Sequence, residues 1–276
     1  MSNLKGTKNS KNGFAKNKKI WYSIHVRIEN KKGIFMFSFD KRFVYVIIAI
    51  FAINFLMGMT GEKLLALVLT LPGVLIALTF HEYAHAKAAD KLGDDTPRIQ
   101  GRLNLNPFSH IDPIGFAMLV FAGFGWGKPV EIDPRNFNRN MDIRKAEAIV
   151  SAAGPLMNFV LALVFMIIYF AMITFGFVTN ELTFYIAQIV NYTVMINLGL
   201  GVFNLIPLPP LDGSKILMYF LPYNARQWFE NNQMYFYIGF LIIFVTGIAS
   251  NIISPILNLV YNGYAFVVSQ IFSLFI

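Results

Sequence analysis

The sequence predicts an all-α membrane protein with about six transmembrane helices, a re-entrant β-hairpin loop and a small N-terminal hairpin. Of its 276 residues, 56% are hydrophobic and only 14% are charged, whereas soluble domains carry about 25% charged residues. Six apolar stretches approach the roughly 20 residues that cross a bilayer as a helix: residues 43–59, 64–84, 148–173, 182–206, 234–250 and 252–275. The chain therefore divides into a basic tail, residues 1–42, and a polytopic membrane core, residues 43–276.

Positive charge predicts the orientation of these spans. Of the 23 Lys and Arg residues, 22 lie in residues 1–42, 87–145 and 207–233, which six spans would place on one side. The positive-inside rule makes that side cytoplasmic, so we expect a multi-pass protein of the cell membrane with both termini inside. The net charge of +8 suits anionic lipid head groups. Nucleic-acid binding is disfavoured, since the tail resembles no folded recognition module.

The N-terminal tail has two parts. Residues 1–19 lack the apolar side chains needed to pack and are predicted to be disordered. Residues 20–39 alternate apolar and polar side chains on either side of a Glu29–Gly33 turn, which predicts a small cytoplasmic hairpin. The first apolar stretch starts at Phe43 with no small-residue cleavage site after it, so we expect it to be retained. Cysteine is absent, which excludes disulfides and thiolate metal ligands.

The motif His81-Glu82-Tyr83-Ala84-His85 ends the second apolar stretch. On a helix, His81 and His85 lie one turn apart on one face and can share a metal ion, while Glu82 points to the side. Zinc lowers the pKa of a bound water to about 7, and a Glu that is not a ligand can take its proton. A chance match on a solvent-exposed helix is disfavoured, because each ionisable residue in a membrane helix costs about 2.5 kcal/mol or more.

A catalytic zinc site usually has a third protein ligand. Asp212 is the leading candidate, because it follows three prolines at the cytoplasmic end of the fourth stretch, at the depth of the histidine motif. His110, in a loop on the same side, is the rival candidate. A His before an Asp-Pro turn can equally stabilise a loop.

The loop before the third stretch contains an apolar segment that is too short to span, residues 116–126. It ends in the alternating glycines Gly123, Gly125 and Gly127, a pattern that suggests a re-entrant or interfacial hairpin. Non-helical backbone at membrane depth is tolerated where it lines protein or a wet cavity. The alternative is an ordinary surface loop.

The histidine motif followed by Asn204-Leu-Ile-Pro-Leu-Pro-Pro-Leu-Asp212-Gly213 resembles the site-2 protease family of intramembrane zinc metalloproteases. Residues 154–158, Gly-Pro-Leu-Met-Asn, resemble a further signature of that family. The resemblance implies Zn²⁺ held by His81, His85 and Asp212; Glu82 as general base; and substrate binding by Asn204, Gly123, Gly125, Gly127 and Asn158. Asn158 could equally form a structural bond between helices.

This resemblance implies hydrolysis of peptide bonds in or near the transmembrane segments of membrane proteins, as in regulated intramembrane proteolysis. The chain looks like a minimal form, without a PDZ-like or C-terminal regulatory domain, and it leaves room for a regulatory membrane partner. Two alternatives remain open. A prenyl-protein type of membrane metalloprotease is disfavoured by the scarcity of acidic residues after residue 147. A zinc-binding or transport protein could use the same His and Asp residues but would not need Glu82.

Overall fold

The computed structural model describes residues 26–30, 33–37, 45–46, 49–50, 53, 56–122 and 125–275. The chain forms two compact units, Met1–Val46 and Ile47–Ile276. In the first unit, strands β1 (Val26–Asn30) and β2 (Gly33–Phe37) pair antiparallel, with Val26 opposite Phe37. These strands lie within residues 20–39, where the sequence predicts a hairpin.

The described part of the second unit is helical. In chain order its helices are α1 (Gly61–Lys91), α2 (Thr96–Ile99), α3 (Pro107–His110), α4 (Pro113–Ala122), α5 (Ile143–Thr174), α6 (Glu181–Asn204), α7 (Asp212–Phe220), α8 (Tyr223–Asn231), α9 (Gln233–Val245) and α10 (Ile248–Phe272). Four of them, α1, α5, α6 and α10, are long and apolar enough to cross a membrane. They coincide with the second, third, fourth and sixth predicted spans, so the chain is an integral membrane protein.

The other two predicted spans have different outcomes. Residues 43–59 lie largely outside the described residues, so the first span stays a prediction. The fifth stretch, residues 234–250, is divided. Helix α9 has 13 residues, about 20 Å at 1.5 Å per residue, which is shorter than the bilayer core. Gly247 follows with a φ of +73°, and α10 starts at the next residue. A left-handed glycine ends a helix at no steric cost, which explains the division.

The predicted β-hairpin at residues 116–126 is wrong for its first part, because Pro113–Ala122 is a helix. The reason is a helix-start signal: the Asp112 side chain accepts the Gly115 N–H at 2.8 Å, and Pro113 occupies the first position. Residues 123 and 124, and therefore the predicted site residue Gly123, lie outside the described residues. Beyond them the chain is extended and makes an isolated antiparallel bridge between Gly127 and Ile111.

The core of the second unit lies between α5, α6 and α10. Its fully buried side chains include Met166, Leu198 and Val268. Helix α1 joins this core by close backbone approach: a Cβ on Gly73 would lie 2.9 Å from the Thr193 Cα of α6. Small residues permit such contacts between membrane helices. The packing brings the second half of α1 against the first half of α5.

A buried carboxylate ties the end of α1 to the loop that precedes α5. Asp94 accepts hydrogen bonds from the Thr96 and Asp133 backbone N–H groups, at 3.0 and 2.8 Å, and from the Asn136 side chain at 3.1 Å. Burial pushes the pKa of Asp94 upward, but these hydrogen bonds outweigh it and hold the pKa below its usual value. The loop is thereby held close to the histidine motif.

Candidate metal centre

Three side chains converge at the end of α1. The Nε2 atoms of His81 and His85 lie 3.0 Å apart, and each lies 3.2 Å from Oδ2 of Asp212. Both histidines are buried, at 5% and 8% exposure. Ligand atoms around a tetrahedral zinc ion, with bonds of about 2.1 Å, lie about 3.4 Å apart. The spacing of the three atoms therefore fits zinc.

The hydrogen bonds of the two Nδ1 atoms orient the rings of His81 and His85 so that their Nε2 atoms face Asp212. His85 Nδ1 lies 2.7 Å from the Val150 carbonyl oxygen, to which it must donate. His81 Nδ1 lies 2.7 Å from Oδ1 of Asn158, whose amide nitrogen is engaged with the Ala77 carbonyl and Oδ1 of Asn197, at 3.1 and 3.0 Å. Both Nδ1 atoms are donors, so in the neutral imidazoles the Nε2 lone pairs face Oδ2 of Asp212 and one another. In that tautomer the three atoms are all acceptors and could hold a metal ion.

Gly154 of α5 makes room for the two imidazoles. A Cβ at this position would lie 2.6 Å from Cε1 of His85 and 2.7 Å from Cε1 of His81. Real Cβ contacts are essentially never that short. The histidine rings therefore occupy the space that a side chain on α5 would fill, which explains why glycine stands four residues before Asn158.

Asp212 reaches the histidines because α6 stops just before it. Helix α6 ends at Asn204, and the prolines in residues 207–210 prevent it from continuing. Asp212 then opens helix α7. A Cβ on Gly213 would lie 2.5 Å from the Ile206 carbonyl oxygen, so only glycine allows this turn to close tightly.

Glu82 lies beside the three converging atoms and is not one of them. Its side chain is half-buried, and its Oε2 accepts the backbone N–H of Val130 at 3.0 Å. A Cβ on Gly127 would lie 3.5 Å from the other oxygen, Oε1. In the Glu82 carboxylate, Oε2 is therefore hydrogen-bonded, and Oε1 lies next to Gly127, which has no side chain.

His110, the rival ligand, does not join this cluster. Within the described ranges, the metal-binding group of His and acidic side chains consists of His81, His85 and Asp212. The His110 ring is fully buried, and its Nε2 lies 2.8 Å from the Asn104 carbonyl oxygen. Burial holds the pKa of His110 below its usual value. The observed geometry favours Asp212 as the third ligand.

The residues predicted to bind substrate have diverse environments. Asn158 is fully buried against His81, so it orients a histidine. Asn204 is half-buried and donates to the Leu200 carbonyl of its own helix at 3.0 Å. A Cβ on Gly125 would lie 2.7 Å from Cβ of Leu119, so its close approach is to α4.

The sequence does not predict two groups that take part in the site, the Asn197 side chain and the Val130 N–H. Asn197 is fully buried and supplies the oxygen that binds the Asn158 amide. An isolated Asn two turns before Asn204 on an apolar helix was the available signal, since polar groups in membrane helices seek partners. The Val130 N–H is the other contributor. Because this donor is a backbone group, the type of residue at position 130 does not indicate its role.

Replacing Asn158 by Leu is expected to weaken zinc binding about 10- to 100-fold, because losing an outer-shell partner frees the ring of His81. Titration of purified protein against a competing chelator measures this. Asn191→Leu is a matched control, since Asn191 lies on α6 and bonds Tyr261, at 3.1 Å. Equal zinc affinity in the Asn158→Leu and Asn191→Leu variants would contradict the assigned role.

Comparison with known proteins agrees with this chemistry. A family model described as peptidase family M50 matches residues 170–246. The Bacillus subtilis protein named "Putative zinc metalloprotease YwhC" is 39% identical over 193 residues, covering 70% of this chain and 85% of its own length. Rip2 of Mycolicibacterium smegmatis, also named a zinc metalloprotease of that kind, is 30% identical over 195 residues and covers 69% of each chain. No solved structure matches significantly.

Proposed function

Because this chain belongs to peptidase family M50, the site-2 protease family of intramembrane zinc metalloproteases, we propose that His81, His85 and Asp212 hold its zinc ion and that Glu82 is its general base. The observation that carries this assignment is the convergence of two Nε2 atoms and one carboxylate oxygen within 3.2 Å, with Glu82 beside them. Convergence of this donor set supports a metal site far more strongly than the motif alone.

The roles of the side chains follow from their contacts. Zinc, when bound, acts as a Lewis acid and lowers the pKa of coordinated water to about 7. Glu82 accepts a proton from the attacking water and passes it to the leaving nitrogen of the cleaved peptide bond. Asn158 and the Val150 carbonyl hold the two imidazoles in the tautomer that leaves Nε2 free.

The proposed substrate is a peptide bond in or near a transmembrane segment of a membrane protein. His81 lies 20 residues beyond Gly61 on α1, about 30 Å along the helix, which places the site near one rim of the bilayer. Helical carbonyls are engaged in hydrogen bonds, so the substrate must unwind before cleavage. Asn204 and the 125–127 segment are proposed to contact it. Regulation by a membrane partner fits regulated intramembrane proteolysis.

The proposed topology puts this rim on the cytoplasmic side of the cell membrane. Its support is the charge pattern, with 22 of 23 basic residues in three segments that six spans place together. The N-terminus is then cytoplasmic, its basic charge suits anionic lipid head groups, and the segment around α4 re-enters the membrane from the cytoplasm. A cytoplasmic C-terminus requires that α9 and α10 each complete a crossing. Substituted-cysteine labelling suits this chain, which has no native cysteine.

Cleavage and metal dependence test the proposed function together. We expect the purified protein, incubated in detergent with single-span membrane proteins, to release a fragment whose new terminus lies in or near the span. Removing zinc with a chelator should stop release, and added zinc should restore it. Mass spectrometry locates the cut. Release that persists after complete zinc removal, or no release from any member of a broad panel of single-span proteins, contradicts the proposal.

A further inference from the structure

A short extended segment, residues 127–130, covers Glu82. Its Val130 N–H donates to Oε2 of Glu82 at 3.0 Å. Its Lys128 N–H donates to the His110 carbonyl oxygen at 2.8 Å, and Gly127 forms the antiparallel bridge to Ile111. The segment therefore connects the loop of α3 to the carboxylate of the motif.

Arg102 makes a further hydrogen bond to this segment. One guanidinium N–H donates to the Lys128 carbonyl oxygen, 26 residues along the chain. Arg102 is only 4% exposed, and its Nε has no hydrogen-bond partner in the described part of the chain. No ion pair of Arg102 with a carboxylate occurs among the described residues. Attraction to the nearby Glu82 and Glu131 carboxylates offsets part of the cost of burying this cation.

The contacts of His110 give it a structural role in the same arrangement. Its carbonyl oxygen accepts the Lys128 N–H, and its ring, fully buried, bonds the Asn104 carbonyl. Because the His110 side chain is buried, the His110 carbonyl oxygen that accepts the Lys128 N–H is held in a fixed position. Arg102 binds the Lys128 carbonyl, and the His110 carbonyl binds the Lys128 N–H. These two hydrogen bonds fix the backbone of Lys128 and thereby the position of the Val130 N–H, two residues further along the chain.

The consequence for Glu82 is geometric. Once the Val130 N–H binds Oε2, the carboxylate cannot rotate freely, and Oε1 is left beside Gly127. We propose that Arg102 is a positioning residue for Glu82: it holds residues 127–130 so that the Val130 N–H fixes Oε2 and leaves Oε1 for the proton of the attacking water. This inference rests on the proposed role of Glu82 as general base.

The test compares Arg102→Gln and Arg102→Lys with the wild type, using a substrate that the wild type cleaves. A small misplacement of a reacting group costs on the order of 10- to 100-fold in rate, so Arg102→Gln should lower kcat by that factor. Bound zinc should change by less than about twofold, because the three proposed ligands lie on other segments, and kcat should fall by a larger factor than KM rises. Arg102→Lys should recover part of kcat, since its ammonium can donate to the Lys128 carbonyl. Arg135→Gln removes an 87%-exposed guanidinium as the charge control.

A readout that does not depend on activity accompanies the kinetics. Hydrogen exchange of the Lys128 and Val130 amides should speed up about tenfold or more in Arg102→Gln, because the segment that carries them loses the hydrogen bond to the Lys128 carbonyl and opens more often. Val130→Pro removes the donor itself without altering Arg102, and should lower kcat similarly if Arg102→Gln folds poorly. Wild-type kcat and exchange rates in Arg102→Gln would overturn the inference, as would a change in KM alone or a parallel loss of zinc. A wild type that cleaves nothing would instead refute the proposed protease assignment.

Discussion

Glu82→Gln is expected to abolish cleavage while the purified protein keeps its zinc. Removing a general base typically costs about 10²- to 10⁴-fold in rate, and the three converging ligand atoms come from other residues. A glutamine oxygen can still accept the Val130 N–H, so residues 127–130 should stay in place. The variant separates proton transfer from metal binding and from folding.

Fragment release measured beside metal analysis checks the Glu82 result. Tyr83→Phe is a conservative control at the neighbouring position and should cleave normally, with normal zinc. Loss of zinc together with activity in Glu82→Gln would make Glu82 a ligand. Full activity in Glu82→Gln would remove it from the chemistry altogether.

Asp212→Ala should strip zinc from the protein and with it all activity. The variant leaves His81 and His85 as the two remaining protein ligands, whereas catalytic zinc sites usually have three. The loss of affinity should therefore exceed the roughly 100-fold seen when an outer-shell partner is removed. Chelator competition on the purified protein provides the measurement.

His110→Ala is the matched comparison, because His110 is the rival candidate and lies between α1 and α5, close to the histidine motif in the chain. It should retain zinc, since the His110 ring faces the Asn104 carbonyl and stands outside the metal-binding group. The backbone carbonyl that holds Lys128 is preserved in this variant. Zinc lost from His110→Ala but retained by Asp212→Ala would reverse the assignment of the third ligand.

Helical periodicity predicts much of the site, because positions 81 and 85 must share a face wherever the helix packs. The choice between Asp212 and His110 needed tertiary contacts. Chain order does not reveal that Gly213 lets the turn after α6 close tightly, or that the His110 ring faces a backbone carbonyl. Local pattern therefore places His81 and His85 on one face and ranks Asp212 above His110, while the contacts that favour Asp212 are visible only in the fold.

Errors in the fold have local causes as well. The alternating glycines at 123–127 favour a hairpin, but Asp112-Pro113 is a helix-start signal and begins α4. Hydropathy alone places Gly247 inside a continuous span, but its left-handed φ separates α9 from α10. The role of Asn158 depends on how α1 packs against α5, and this packing is not encoded in any single stretch of sequence.

The positions of His81, His85 and Asp212 in the fold link metal supply to membrane folding. The proposed ligands belong to α1 and α7, and Asn158 of α5 is bonded to one of them, so a metal ion bound by them would hold three helices together. A ligand that binds the folded form stabilises it by an amount that grows with the logarithm of its free concentration. The lifetime of this protein in a cell should then follow the availability of zinc, and zinc starvation would deplete the enzyme itself as well as its activity.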